Sequence, residues 1–89
     1  MTVRVDKSFE RDTNKIFDKS LLKKIADCID QAERAQSILA IKNIKRIRGG
    51  ASYYYRIRIG EYRIGIIVIS TTVIFIRFLH RKDIYKYFP

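Results

Sequence analysis

The sequence predicts an α+β fold: a short N-terminal strand, two helices packed on one face of an antiparallel sheet, a C-terminal three-strand meander and a short helical tail. Three observations lead there. Apolar residues recur at helical spacing in the first half and at every second position after Gly49-Gly50. The connections Gly60-Glu61 and Ser70-Thr71-Thr72 are short enough to force consecutive antiparallel hairpins. No repeat, low-complexity tract or Pro/Gly/Ser linker divides the 89 residues, so 1–89 are expected to form a single domain with one modest core.

Taken in order, Thr2 to Val5 alternates as a short strand. Phe9, Thr13, Ile16 and Phe17 then fall at helical spacing, with Asp6 or Ser8 as the N-cap. A second helix should start at Asp18 or Ser20 and bury Leu21, Leu22, Ile25, Cys28, Ile29, Ala32 and Ala35. Cys28 lies on that stripe and reads as a small buried residue, since nothing nearby would stabilise a thiolate. Ile38, Ile41, Ile44 and Ile47 recur every third residue, which suits a short helical turn followed by an extended arm, and Gly49-Gly50 then breaks the chain. Tyr53–Ile59, Tyr62–Ile69 and Val73–Leu79 are rich in Ile, Val, Tyr and Phe and read as strands. Arg81 to Phe88 supplies the helical tail.

The first hairpin carries the chemistry. Alternation sets Tyr55, Ile57 and Ile59 on one face and Tyr54, Arg56 and Arg58 on the other. A type II′ turn at Gly60-Glu61 pairs Ile59 with Tyr62, Arg58 with Arg63, Ile57 with Ile64 and Arg56 with Gly65. Arg58 and Arg63 then stand opposite each other, an arrangement that weakens a sheet and that stability alone would not select. Gly65 within a strand marks a close approach and should leave a shallow floor between guanidinium groups. A three-residue loop, Ser70 to Thr72, would put Ile74 and Ile76 on the core side and Arg77 beside Gly65; a two-residue loop would bury Arg77. Guanidinium forks grip phosphate oxygens bidentately, and Tyr53, Tyr54 and Tyr55 are available to stack on bases. Such a site requires the glycine floor to stay open rather than be filled by the chain's own tail.

Charge agrees with a polyanionic partner. Residues 1–40 hold eight Lys/Arg against seven Asp/Glu, whereas 41–89 hold eleven against two, so +9 of the net +10 lies in the second half. Lys42, Lys45, Arg46 and Arg48 form one run, and His80, Arg81, Lys82 and Tyr85 a second cluster in which His80 and Tyr85 can exchange protons. One cysteine excludes an internal disulfide and fits a reducing compartment, and one histidine without a CxxC pair argues against structural zinc. The first residues lack the apolar core of a signal peptide, and Ile64–Ile69 is far short of the roughly 20 apolar residues of a membrane helix. A cytoplasmic protein without membrane contact, metal or cofactor is expected.

The stretch from Tyr54 to Arg63, YYRIRIGEYR, followed by FLHRKDIY over Phe78–Tyr85, resembles the RelE/ParE superfamily of bacterial type II toxin–antitoxin toxins. The helices and the Lys45-Arg46-Ile47-Arg48-Gly49 lead-in match in order, so the resemblance covers nearly the whole chain. It implies, for the favoured RelE-like branch, a ribosome-dependent mRNA endoribonuclease that acts without metal by 2′-hydroxyl attack on the adjacent phosphate. It also implies a cognate antitoxin, with a heterotetramer or larger complex as the assembly, and the ribosome and mRNA as further partners. Position by position, Arg56 and Arg58 match basic active-site residues, Arg63 a phosphate-stabilising arginine, Arg81 a proton donor to the leaving oxygen, and Tyr85 a base-stacking or proton-transferring tyrosine. The best-studied nucleases have lysine where this chain has Arg56 and Arg58. Arginine does not give up its proton, so the base role falls to His80 or Tyr85. Lys45, Arg46, Arg48, Tyr54, Arg77 and Lys82 are expected to bind RNA. The rival readings are a ParE-like inhibitor of DNA gyrase and a catalytically inactive nucleic-acid-binding or corepressor homologue.

Overall fold

The computed structural model describes residues 1–47 and 53–89. Its elements are β1 (Thr2–Val5), α1 (Lys7–Asn14), α2 (Lys19–Arg34), a single 3₁₀ turn (Ile38–Ala40), β2 (Ile44–Arg46), β3 (Tyr54–Ile59), β4 (Tyr62–Ile69), β5 (Thr72–His80) and α3 (Arg81–Tyr87). The α+β class holds, with a five-stranded sheet in the order β1-β5-β4-β3-β2. The sheet is mixed, because β1 runs parallel to β5 while the other neighbours are antiparallel. The extended arm expected after the helical turn is β2, an edge strand on β3.

Both long helices start at aspartate caps. The Asp6 side chain accepts from Ser8 N at 3.1 Å, and Asp18 from Ser20 N at 2.9 Å and Leu21 N at 3.2 Å, satisfying amide groups that have no partner inside the helix. The Ser8 hydroxyl, with its backbone N–H, also holds the exposed Asp6 carboxyl below its ordinary range. Helix α1 stops at Asn14, earlier than the spacing suggested, and Phe17 is left 87% exposed in the connection. Along α2 the stripe buries Ile25, Cys28, Ala32 and the capping Ala35, while Leu22 lies at its rim.

These residues and Phe9 pack on Ile57, Ile59, Ile64, Ile66, Val68, Val73, Phe75 and Phe78. Burial of their apolar surface is the main force holding α1 and α2 to one face of the sheet. Burial pushes the Cys28 thiol up to about 11, which agrees with an inert core cysteine.

One register differs from expectation. The β4–β5 loop has two residues, with Ile69 opposite Thr72 and Ser70 at φ +55°. Val73 and Phe75, not Ile74 and Ile76, therefore face the core. Arg77 escapes burial because the register shifts between Gly65 and Ile66: Ile66 pairs with Phe75 and Gly65 with Arg77, leaving Ile76 as one extra residue. Such a bulge reverses the alternation of everything beyond it.

Helix α3 lies across the opposite face. Its Ile84 is fully buried, and Phe88 just past its end is 4% exposed against β3 and β4. The tail thus covers part of the face that carries the arginines.

Candidate functional site

All four expected pairs of the first hairpin are present: Ile59 with Tyr62, Arg58 with Arg63, Ile57 with Ile64, and Arg56 with Gly65. Gly60 takes φ +57°, the positive value that the first position of a II′ turn requires. Edge strand β2 adds Lys45 opposite Arg56 on the same face. Lys45, Arg56, Arg58, Arg63 and Tyr85 line one hollow of about 340 Å³, together with Asn43 and Ile44.

Two contacts order it. The Arg56 guanidinium carbon stands 4.4 Å from the centroid of the Tyr85 ring, a cation–π contact that ties α3 to β3. Arg63 donates from Nη1 to the carbonyls of Gly60 and Tyr62, both at 2.9 Å, which fixes its fork beside the turn. The Arg58 side chain is exposed, and neither it nor Arg56 or Lys45 has a carboxylate within ion-pair reach among the described residues. Four positive charges around a small hollow suit an anion with several oxygens.

The expected glycine floor is not open. A Cβ at Gly65 would meet the Phe88 ring at 2.5 Å, so the ring occupies the space that the missing side chain leaves. Tyr54 closes the other side of that ring edge-to-face at 5.7 Å. A phosphate has no seat over Gly65, so the site in the form expected from the sequence is absent; what stays open is a different hollow, lined by Lys45, Arg56, Arg58 and Arg63 toward β2. The sequence signal was genuine, since a strand glycine does mark a close approach, but the group that approaches is the chain's own Phe88.

The remaining candidates are scattered. His80 caps α3, its Nδ1 accepting from Lys82 N at 3.2 Å, and its ring meets Tyr62 edge-to-face at 5.6 Å. Tyr62 in turn stacks on core Phe78 at 4.9 Å, so His80 belongs to the helix-covered side and does not line the hollow. Arg81 lies one helical turn before Tyr85 and pairs its Nε with Glu61 Oε2 at 2.9 Å, its backbone N–H reaching the Glu61 carbonyl at 2.8 Å. Glu61 is thus a partner of Arg81 rather than a free turn residue. Lys82 is exposed at the start of α3. Arg46 shares its row with Tyr55, on the face turned away from the hollow. Arg48 and the Gly49-Gly50 break lie outside the described residues.

Arg77 has a different occupation. Its Nε and Nη2 grip Asp12 at 2.7 and 3.1 Å, and Asp12 also accepts from Phe78 N at 2.9 Å. That bidentate bond holds the Arg77 pKa above its ordinary value. The pair staples α1 to β5 and offsets the Arg77 charge that an anionic ligand would need. Sequence reasoning does not single out Asp12, Asn43 or Phe88, because an isolated Asp, Asn or Phe carries no local signal for such roles. No group of three His, Cys, Asp or Glu side chains close enough to hold a metal occurs among the described residues. No helix among them is long and apolar enough to cross a membrane.

Comparison with known proteins shows the family and the fold. Residues 3–85 match the family model described as ParE toxin of type II toxin–antitoxin system, parDE. A curated relative, Toxin RelE3 of Methanocaldococcus jannaschii, is 43% identical over 90 residues, covering 100% of both chains. The toxin in the crystal structure of the RelB-RelE antitoxin–toxin complex from Methanococcus jannaschii superposes with a TM-score of 0.81 at 42% identity, over 97% of this chain and 99% of that one. In the archaeal RelE-RelB complex from Pyrococcus horikoshii the corresponding values are 0.73 and 17%, over 90% and 93%, a likeness of fold alone.

Proposed function

Because the chain belongs to the ParE toxin family of type II toxin–antitoxin systems, we propose that it is a RelE-like toxin that cleaves messenger RNA on the ribosome and is held inactive by a cognate antitoxin. The full-length likeness to a RelE toxin supports the RelE-like branch, and the RelB-RelE complex that it resembles supports the antitoxin as partner. One observation carries the nuclease reading: Lys45, Arg56, Arg58, Arg63 and Tyr85 line a single open hollow.

In the proposed reaction the ribose 2′-hydroxyl attacks the adjacent phosphorus and gives its proton to a base. The bond from phosphorus to the 5′ oxygen breaks, and that oxygen takes a proton, leaving a cyclic phosphate and a 5′-hydroxyl. Arg56, Arg58 and Arg63 stabilise the charge that builds on the phosphorane, and Lys45 holds the substrate. Of the two candidates for the base we assign Tyr85, because its ring stands in the hollow whereas His80 is taken up in capping α3. Once Arg81 leaves Glu61 its guanidinium hydrogen-bonds and stabilises the leaving oxygen, which takes its proton from water. This chemistry takes its positive charge from guanidinium groups and calls for no metal. Weak acid–base equipment fits an enzyme that completes its site on the ribosome.

A specific observation favours a second reading, a DNA gyrase poison without catalysis: the residues lining the hollow include one hydroxyl, on Tyr85, and no imidazole or carboxylate. Expression followed by mapping of the 5′ ends of cellular messages separates the two. Codon-periodic cuts support the nuclease. DNA damage with intact messages overturns it in favour of the gyrase poison, and absence of growth arrest points to an inactive homologue.

A further inference from the structure

The arginine hollow does not end at Lys45. A second hollow of about 430 Å³ lies around the start of β2, between α2 and β3, and Asn43 and Arg58 line both. Asn43 sits at φ +61°, a conformation that asparagine tolerates, and its carbonyl accepts from Arg58 N at 3.1 Å, so the shared corner is fixed by backbone. Lys24 from α2 and Lys42 from the turn before β2 stand on the walls of this second hollow.

Its cations outnumber its acids, with Lys24, Lys42 and Arg58 standing against Asp27. The ion pairs among the described residues are Lys23 with Asp27, Arg34 with Asp30, Arg77 with Asp12 and Arg81 with Glu61. Asp27, which lines the second hollow, pairs with Lys23, while Lys24, Lys42 and Arg58 have no carboxylate within ion-pair reach among the described residues. Lys42 gives its backbone N–H to Gln31 Oε1 at 3.2 Å, which holds the chain here without using its ammonium group. Exposed cations left unpaired along a continuous path raise the local potential for a polyanion.

We propose that a single-stranded RNA seated in the arginine hollow continues around the start of β2 into this second hollow, where Lys24 and Lys42 take its phosphates. The proposal rests on the nuclease reading of the arginine hollow. It makes the second hollow an extension that adds affinity for longer strands and leaves the reacting phosphodiester to Arg56, Arg58 and Arg63. RNA is favoured over an acidic peptide because cations line both hollows, which share Arg58, and a phosphate backbone carries charge at every step.

The test uses 2′-O-methyl oligonucleotides, which cannot be cleaved, one of about four nucleotides and one about three times as long. Binding by fluorescence anisotropy is followed from roughly 50 to 200 mM salt for the wild type and for Lys24→Ala/Lys42→Ala. Each phosphate released from an ammonium group is worth about 0.7 in the slope of log K against log salt, so the long-strand slope should fall by about 1.4 in the double variant. The short strand should bind the variant as it binds the wild type, and Lys24→Arg/Lys42→Arg should restore the long-strand slope. An unchanged slope overturns the proposal while leaving the arginine hollow intact, and so does equal weakening of both strands. Loss of affinity for an acidic antitoxin segment alone would reassign the second hollow to protein. A wild type that binds neither strand overturns the extension, while the ribosome-dependent nuclease reading stands or falls by the 5′-end mapping.

Discussion

The ring of Phe88 lies against the backbone of Gly65, where a Cβ would stand only 2.5 Å from it. Phe88 is also the C-cap of α3: its backbone is extended at φ −148° and ψ 130°, and its N–H goes to the Ile84 carbonyl at 2.9 Å. Tyr85, three residues earlier, is thereby held above Arg56. A glycine in the middle of the sheet and a phenylalanine at the tail together decide where the tyrosine of the candidate site stands.

Gly65→Ala must push that ring aside, at a cost of about 1–3 kcal/mol for overpacking. Phe88→Ala loses the buried ring, about 1.5–3 kcal/mol. The double variant should be clearly less destabilised than the sum, since the added methyl then has room, with a coupling of about 0.5–3 kcal/mol. Urea denaturation of the four proteins checks this; strict additivity would show that the two residues do not compete for the same space. Phe88→Ala should also blunt toxicity by freeing Tyr85.

Arg63→Ala should abolish growth arrest while the folded protein still binds its antitoxin, because the fork held by the Gly60 and Tyr62 carbonyls points a fixed charge at the hollow. Arg81→Ala should abolish it too, and at little structural cost: its pair with Glu61 is more than half exposed on both sides, so about 1 kcal/mol at most is lost. Growth assays read beside thermal melts test both. Arrest that persists in each variant contradicts the site.

Asp12→Ala should be among the more damaging polar substitutions. It leaves Arg77 without its carboxylate and Phe78 N without an acceptor in a site where the Asp12 side chain is 9% exposed. A loss of about 2–4 kcal/mol is expected. Arg77→Ala should likewise lower Tm yet leave the salt dependence of oligonucleotide binding unchanged below the transition. A reduced slope would return Arg77 to the RNA-binding set.

The Cys28 thiol, raised by burial to about 11, makes alkaline stability a test of the core. A folded pKa above the unfolded value near 8.5 means that the native state holds the proton longer. Its contribution is complete below the unfolded value and is lost as pH climbs through about 11. Cys28→Ala should therefore flatten the alkaline arm of the stability profile relative to wild type, and slow reaction of the thiol with an aromatic disulfide at pH 8 should become fast on unfolding. Rapid labelling of the native protein would contradict a buried thiol.

Much of the fold is legible from local rules. Asp6 and Asp18 announce helix starts because an aspartate satisfies orphan amide groups wherever it precedes a helical pattern. The β3–β4 register follows from a single glycine turn, and with it the row of Arg56, Arg58 and Arg63. Alternation puts Ile74 and Ile76 on the wrong face because a bulge and a shorter loop, taken together, preserve the position of Arg77 while moving the residues before it. A period of two cannot reveal a pair of compensating irregularities.

The sequence by itself determined the order of elements, the basic character of one sheet face and the family, since each depends on neighbours in the chain or on residue identity. Tertiary structure decided which of those basic groups work together. Lys45 reaches Arg56 only because β2 docks on β3, Arg77 is drawn off by Asp12 from a distant helix, and Phe88 returns from the tail to fill the space beside Gly65. Each of these pairings spans a separation that no local pattern encodes, and each is settled by which surfaces can be buried together once the sheet has formed.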